Sequence, residues 1–259
     1  MTAAGAMNAV HYESEGEGPA VVLIAGLGGL GAFWKPVVPL LARNFRVLAF
    51  DHPGVGRSAP PAAQTIPAIA AAVIDMLDRE AIEVAHVVGH STGSLVAQTL
   101  GLDRPDRCAR LVLSGGWAKP DRRFRDLFAL RRYLLQRVGP SAYSALSKLG
   151  GYDGQWYDRH LAADTSPDFD AAMPMDVETV SSRIDMLLAY ERADELGRLE
   201  QDVLVVGAED DFIVPFYNSV DLAERIRCSR LEKVGGGHFF PQVAPDAFAM
   251  LVRSFLERT

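Results

Sequence analysis

The sequence predicts an α/β protein with a mostly parallel, doubly wound sheet, and three observations carry that expectation. Short apolar runs at residues 21–24, 84–88 and 203–206 lack the strict in–out alternation of a sheet with one wet face. Strands of that kind need helices on both sides. Stretches of helical length and helical periodicity lie between them, which is the alternation that winds βαβ units over both faces of a sheet. Finally, about 80 residues between Trp117 and Gln201 hold no convincing buried strand, far more than an ordinary connection, so a helical insertion interrupts the alternation.

Taken in order, residues 9–13 suit a short first strand and residues 14–18 a polar turn. The buried strand at 21–24 ends in Ala25-Gly26-Leu27-Gly28-Gly29, and a helix is expected from near Ala32 through Trp34 to Leu41. The strand at 46–50 runs into Asp51-His52-Pro53-Gly54-Val55-Gly56-Arg57-Ser58, and residues 66–77 form a helix whose alanines allow close packing. The strand at 84–88 feeds Gly89-His90-Ser91-Thr92-Gly93, after which Leu95 to Gln98 favour helix. Strands follow at 111–113, 203–206 and 230–234, with an amphipathic helix at 248–256. The insertion reads as helices at 122–138, 141–149, 156–163 and 177–196, the first of them basic through Arg122, Arg123, Arg125, Arg131 and Arg132. The core is therefore assigned to residues 1–117 and 201–259, and residues 118–200 to a helical cap inserted after the sixth strand. An insertion at the carboxyl end of a strand lies over the rim where open α/β sheets bind ligands.

Composition narrows the classes of function. The chain has 259 residues, 49% hydrophobic and 23% charged, which is ordinary for a globular domain. A net charge of -7 argues against nucleic acid and against an anionic membrane surface. No apolar run approaches the roughly 20 residues that span a bilayer, and residues 1–10 lack a basic segment followed by an apolar one. Cys108 and Cys228 are isolated, and no cysteine–histidine cluster has metal-ligand spacing. The expectation is a cytoplasmic protein with a small-molecule substrate, no metal, no cofactor, no nucleic-acid partner and no membrane partner; a homodimer is left open.

The chemistry centres on Ser91. Strand, tight turn and helix around Gly89-x-Ser91-x-Gly93 form the nucleophile-elbow pattern, in which the glycines relieve crowding where strand and helix nearly touch. A serine hydroxyl needs a base to take its proton and an acid to orient that base. His238 sits in a glycine-rich loop just past a strand end, whereas His11, His52, His86, His90 and His160 are less suitably placed. The acid is Asp210 or Asp211, both just after the strand at 203–206: counting from Gly207 favours Asp210, and counting back from Pro215 favours Asp211, which is preferred. The oxyanion of an acyl-transfer intermediate needs two N–H donors, for which the backbone of Thr92 and of Leu27 are the candidates. A nucleotide-binding reading of Gly26-x-Gly28 is weaker, because Asp51, 23 residues beyond Gly28, gives only a superficial match to the dinucleotide pattern. Trp34, Trp117 and Phe239 are candidates for lining the substrate pocket.

Together, Ala25–Gly29, Asp51–Ser58, Gly89–Gly93, the 210–215 loop and Gly237-His238 resemble the α/β-hydrolase fold family over almost the whole chain. One departure is Ala25, where many members have histidine; a backbone donor does not depend on that side chain. Leu27-Gly28-Gly29, Gly116-Trp117, the basic stretch from Arg122 and Asp210-Asp211 with Val214-Pro215 are also similar to the aminoacrylate hydrolases of bacterial pyrimidine degradation. The resemblance implies a cofactor-free serine hydrolase acting on a small ester, lactone or amide-like organic acid derivative. Related activities share the same residues: C–C bond hydrolysis of a ring-cleavage product, 3-oxoadipate enol-lactonase chemistry and a perhydrolase. A ligand-binding receptor on the same fold is the reading from another class.

Overall fold

The computed structural model describes residues 10–161, 169 and 175–258 of the chain. One sheet contains β1 (Tyr12–Glu15), β2 (Ala20–Ile24), β3 (Arg46–Phe50), β4 (Ala85–His90), β5 (Cys108–Ser114), β6 (Asp202–Ala208) and β7 (Ser229–Val234). Their spatial order is β1-β3-β2-β4-β5-β6-β7. Only the β1–β3 pair is antiparallel. The helices are α1 (Val38–Leu41), α2 (Ile66–Arg79), α3 (Thr92–Asp103), α4 (Arg122–Arg137), α5 (Pro140–Gly151), α6 (Gly154–His160), α7 (Val177–Leu188), α8 (Phe216–Arg225), α9 (Phe240–Val243) and α10 (Pro245–Leu256).

Both faces of the sheet are dry at the central strands β2 to β6, which is why these read as apolar runs, whereas the edge strands β1 and β7 are largely exposed. Val22, Ile24, Leu48, Phe50, Val87, Leu111 and Leu113 point to the side covered by α2 and α3. Their immediate neighbours Val21, Leu23, Val47, Ala49, Val88 and Val112 point to the other side, packed against Trp34, Leu41 and the α10 residues Phe248, Val252 and Phe255. Full burial of each such side chain contributes roughly 1.5–3 kcal/mol, so the two cores together hold the sheet rigid beneath the loops at its carboxyl edge.

That edge gathers the candidate site residues. The strand order reverses at β2, with β3 on one side and β4 on the other, and such switch points open a crevice beyond the carboxyl ends of the strands. The loop at 25–29 leaves β2, Ser91 leaves the central strand β4, Asp211 follows β6 and His238 follows β7. Because these strands run parallel, their ends lie along one rim.

Three expectations need correction. The insertion follows the fifth strand, not the sixth, because among the described residues a single antiparallel strand precedes the parallel series. The helix expected from Ala32 to Leu41 is a 3-10 turn (Gly31–Trp34) and the short α1, since Pro36 between them has no N–H to continue a helical ladder. The last helix of the insertion stops at Leu188, not 196; Tyr190 then turns inward, where its hydroxyl donates to Gln98 Oε1 at 3.1 Å. The expected helix at 156–163 corresponds to α6, and its last two positions lie outside the described residues.

Candidate active site

Ser91 occupies the turn between β4 and α3 at φ 54° and ψ -118°, a conformation that costs a residue with a Cβ of order 1–3 kcal/mol. The turn is held by the Ser91 N–H donating to Ser114 O at 2.7 Å and the Ser94 N–H donating to Ser91 O at 2.9 Å. A Cβ on Gly89 would stand 2.1 Å from Gly93 O, and one on Gly93 would stand 2.1 Å from Ile24 O. The two glycines of the motif therefore let strand and helix approach closely enough to project the serine.

The hydroxyl meets a buried hydrogen-bond chain. His238 Nε2 lies 2.9 Å from Ser91 Oγ, and His238 Nδ1 lies 2.7 Å from Asp211 Oδ2. The other Asp211 oxygen accepts from the Val214 N–H at 2.7 Å. A carboxylate can only accept, so Nδ1 carries the imidazole proton and Nε2 is left as the acceptor for the serine hydroxyl. Asp210 contacts neither; its carboxylate accepts from the Gly236 N–H at 3.1 Å and so tethers the loop that carries His238.

The loop after β2 presses against Ser91. A Cβ on Gly26 would lie 3.2 Å from Ser91 Cβ, so only bare backbone fits there. Thr92 is the first residue of α3, and its N–H has no acceptor within the helix. Leu27 sits on the facing loop, with its carbonyl accepting from Arg183 Nε at 2.8 Å. A cavity of about 450 Å³ opens above Ser91, within the usual size of small-molecule sites. Its walls come from both parts of the chain: Leu27, Phe33, His90 and Phe239 from the core, Arg131 and Tyr143 from the insertion.

A model of the alpha/beta hydrolase fold matches residues 19–243. The chain belongs to the alpha/beta hydrolase fold family. It is 36% identical over 264 residues to a protein of Caulobacter vibrioides (strain NA1000 / CB15N) named "Putative carbamate hydrolase RutD", with 98% of this chain and 97% of that one covered. Among solved structures, it is similar to the enol-lactonase from Burkholderia xenovorans LB400, with a TM-score of 0.87, 25% identity and 99% of both chains covered. It is also similar to a meta-cleavage product hydrolase from Pseudomonas fluorescens IP01, with a TM-score of 0.72, 25% identity, and 96% and 94% of the two chains covered.

In this α/β-hydrolase, the expected pocket aromatics divide. Phe239 lines the cavity. Trp34 does not: the 3-10 turn directs Phe33 towards the cavity and Trp34 into the core, where it stacks on Phe248. Trp117 is also fully buried, against Phe124, because the chain turns inward after β5 to start the insertion.

The basic helix α4 divides in the same way. Arg122 pairs with Asp126 and Arg132 with Asp185, Arg123 lies over Phe212, and Arg125 donates to Leu188 O. Arg131 instead belongs to the buried stripe Phe124, Phe128, Arg131, Leu135 and is only 6% exposed. Its Nη2 donates to Tyr143 Oη at 3.0 Å and Ser147 Oγ at 2.9 Å, its plane lies over the Phe128 and Tyr143 rings, and Nε has no partner. Among the described residues, no carboxylate pairs with it, and burial pulls its pKa down. The spacing of residues 124, 128, 131 and 135 marks this arginine as one on an inward face.

Two further residues were not singled out by sequence reasoning. His90 stacks on Phe33 beside the His238 ring, and its Nδ1 lies 3.0 Å from Ser114 Oγ. Burial, followed by the proximity of His238, holds it neutral, well below the usual histidine range. Arg183, on α7, is 1% exposed and reaches back into the core. Neither has a local sequence pattern: His90 occupies a freely variable position of the elbow, and the partners of Arg183 lie 119 to 156 residues away.

Proposed function

We propose that this protein is a serine hydrolase acting on a small organic acid derivative, with Ser91 as nucleophile, His238 as base, and Asp211 as the group that fixes the imidazole tautomer. The observation that carries this reading is the hydrogen-bond chain from Ser91 through His238 to Asp211, beside a cavity and at the foot of a strained turn.

In this reading, His238 Nε2 takes the hydroxyl proton as Ser91 Oγ attacks the substrate's electrophilic carbon. The N–H groups of Leu27 and Thr92 face the oxygen that becomes negative. Collapse of the tetrahedral intermediate returns the proton from His238 to the leaving atom. Water, deprotonated by the same nitrogen, then attacks the acyl-enzyme and releases Ser91 with its proton restored. Residues 118–200 serve as the cap, and Arg131 within it faces the substrate. A substrate carboxylate would supply the anion this guanidinium lacks, at the strength of a charge-assisted hydrogen bond. With the carbamate in the name of the Caulobacter relative, this makes a carbamate that also bears a carboxylate a candidate substrate. The free thiols Cys108 and Cys228 fit a cytoplasmic setting.

The aromatic wall of Phe33, Phe128 and Phe239 favours a second reading within the same mechanism, a larger conjugated acid such as an enol-lactone or a ring-cleavage product. Turnover of p-nitrophenyl acetate that disappears in Ser91→Ala tests the hydrolase reading, and a protein that binds esters without turnover refutes it. Rates on carbamate, enol-lactone and vinylogous diketone acids then separate the two substrate readings.

A further inference from the structure

Arg183 is a buried cation that the mechanism above does not use. It projects from α7 of the insertion and ends among three uncharged acceptors of the core: Leu27 O at 2.8 Å from Nε, His52 Nδ1 at 2.7 Å from Nη2, and Gln64 Oε1 at 3.4 Å from Nη1. Among the described residues, no carboxylate pairs with it. An unpaired buried charge is costly, so a guanidinium kept here needs a reason other than stability.

The surroundings are built to admit it. Gly29 has φ +69, and a Cβ there would lie 2.8 Å from Arg183 Nη2 and 3.0 Å from His52 Cβ. His52 must present a bare Nδ1 to an arginine that can only donate, and it is held neutral, far below the usual range, by burial and then by that guanidinium. Arg183 itself is lowered to about 10 by burial, so it remains charged near neutral pH. The loop it holds is tied in turn: the Gly29 N–H donates to Gly26 O at 3.0 Å, and the His52 N–H donates to Gly29 O at 2.7 Å. Asp51 accepts from the Gly31 N–H at 2.9 Å and the Arg57 N–H at 3.1 Å.

We infer that Arg183 is a positioning residue for the oxyanion loop: by holding the Leu27 carbonyl from the insertion side, it fixes the backbone that faces Ser91 and makes that geometry depend on the docking of α7. This rests on the hydrolase reading of Ser91. A donor misplaced by a fraction of an ångström loses transition-state stabilisation while leaving ground-state binding intact. Arg183 touches no substrate in this account, since Leu27, not Arg183, lines the cavity.

The test compares wild type, Arg183→Met and Arg183→Lys on p-nitrophenyl acetate, with the affinity of a short-chain trifluoromethyl ketone as a second readout. Ser91 Oγ adds to the ketone carbon, its proton passes to His238, and the resulting oxyanion occupies the same loop. Loss of a direct oxyanion donor costs about 10²–10³ in kcat. For an indirect role, Arg183→Met is expected to lose about ten- to a hundredfold in kcat, with KM within threefold and the ketone weakened by the same factor as kcat/KM. Arg183→Lys, which keeps the charge and reaches fewer acceptors, should fall in between. Wild-type kcat and ketone affinity in either folded variant overturn the proposal, as does a loss confined to KM or thermal stability. If the methionine variant fails to fold, the lysine variant decides: at least a severalfold matched loss is required. An inactive wild type refutes the hydrolase reading itself, whereas an active wild type with indifferent variants refutes only the clamp.

Discussion

Replacing Asp211 by asparagine is expected to abolish most activity through a proton in the wrong place. Both partners are buried, with the Asp211 side chain 0% and the His238 side chain 3% exposed. The two carboxylate oxygens have different tasks: Oδ1 accepts from the Val214 N–H and Oδ2 from His238 Nδ1. An asparagine has one acceptor and one donor end. Its carbonyl must face the Val214 N–H, because turning the amide round sets two buried donors against each other at a cost of about 1–3 kcal/mol. The NH₂ group then faces Nδ1, which must become an acceptor, and the imidazole proton moves to Nε2. A protonated Nε2 cannot take the proton of Ser91. The expected loss is about ten-thousandfold in kcat, or roughly 5 kcal/mol of transition-state stabilisation, with KM little changed. Asp210→Asn leaves the Ser91–His238–Asp211 contacts in place and keeps an amide oxygen to accept from the Gly236 N–H, losing only the charge and the second acceptor, so about tenfold or less is expected. Ester kinetics of the two variants, together with the imidazole ¹⁵N shifts of His238, decide the matter. A nearly active Asp211→Asn, or an Asp210→Asn that is the more damaged of the two, would show that Asp211 does not fix the His238 tautomer.

Other predictions follow from the same geometry. Arg131→Met should lower kcat/KM for an anionic ester about ten- to a hundredfold, the worth of a charge-assisted hydrogen bond, while changing a neutral ester less than threefold; equal losses on both would remove Arg131 from substrate recognition. Gly93→Ala forces a methyl group to within 2.1 Å of Ile24 O, and urea denaturation should show at least about 3 kcal/mol of lost stability. His52, His86 and His90 are all held neutral in the fold, His86 at about 4. The unfolded chain therefore binds more protons below the ordinary histidine pKa, and stability should fall as pH drops from about 6.5, by up to ~1.4 kcal/mol per pH unit for each histidine. The His86 part of that slope ends near pH 4. Urea midpoints of His90→Phe across this range should show a shallower slope than wild type, and identical slopes would contradict the assignment.

Sheet, elbow and the approximate ends of most strands were legible because each rests on a local pattern. A strand dry on both faces is a continuous apolar run, and Gly89 and Gly93 are demanded by contacts within one turn. The choice between Asp210 and Asp211 was not legible from the residues alone. Both follow β6, and the contact with His238 depends on how the 208–214 loop closes around the Val214 N–H. The pocket aromatic at this turn is Phe33 and not Trp34, a choice between adjacent residues of the 3-10 turn Gly31–Trp34 that rests on Trp34 packing against Phe248 of the distant α10. Arg131 was one among five arginines until its place on the Phe124–Phe128–Leu135 stripe was used. Arg183 could not be found at all by local reading, since its role is defined by Leu27, His52 and Gln64, which only the tertiary fold brings to it.

The most direct test of the central claim is reaction of the intact protein with a fluorophosphonate probe, followed by mass spectrometry of the labelled peptide. A single adduct on Ser91, lost in His238→Ala, is expected. A folded protein that takes no label, or takes it on another residue, would contradict an activated serine at the head of this hydrogen-bond chain.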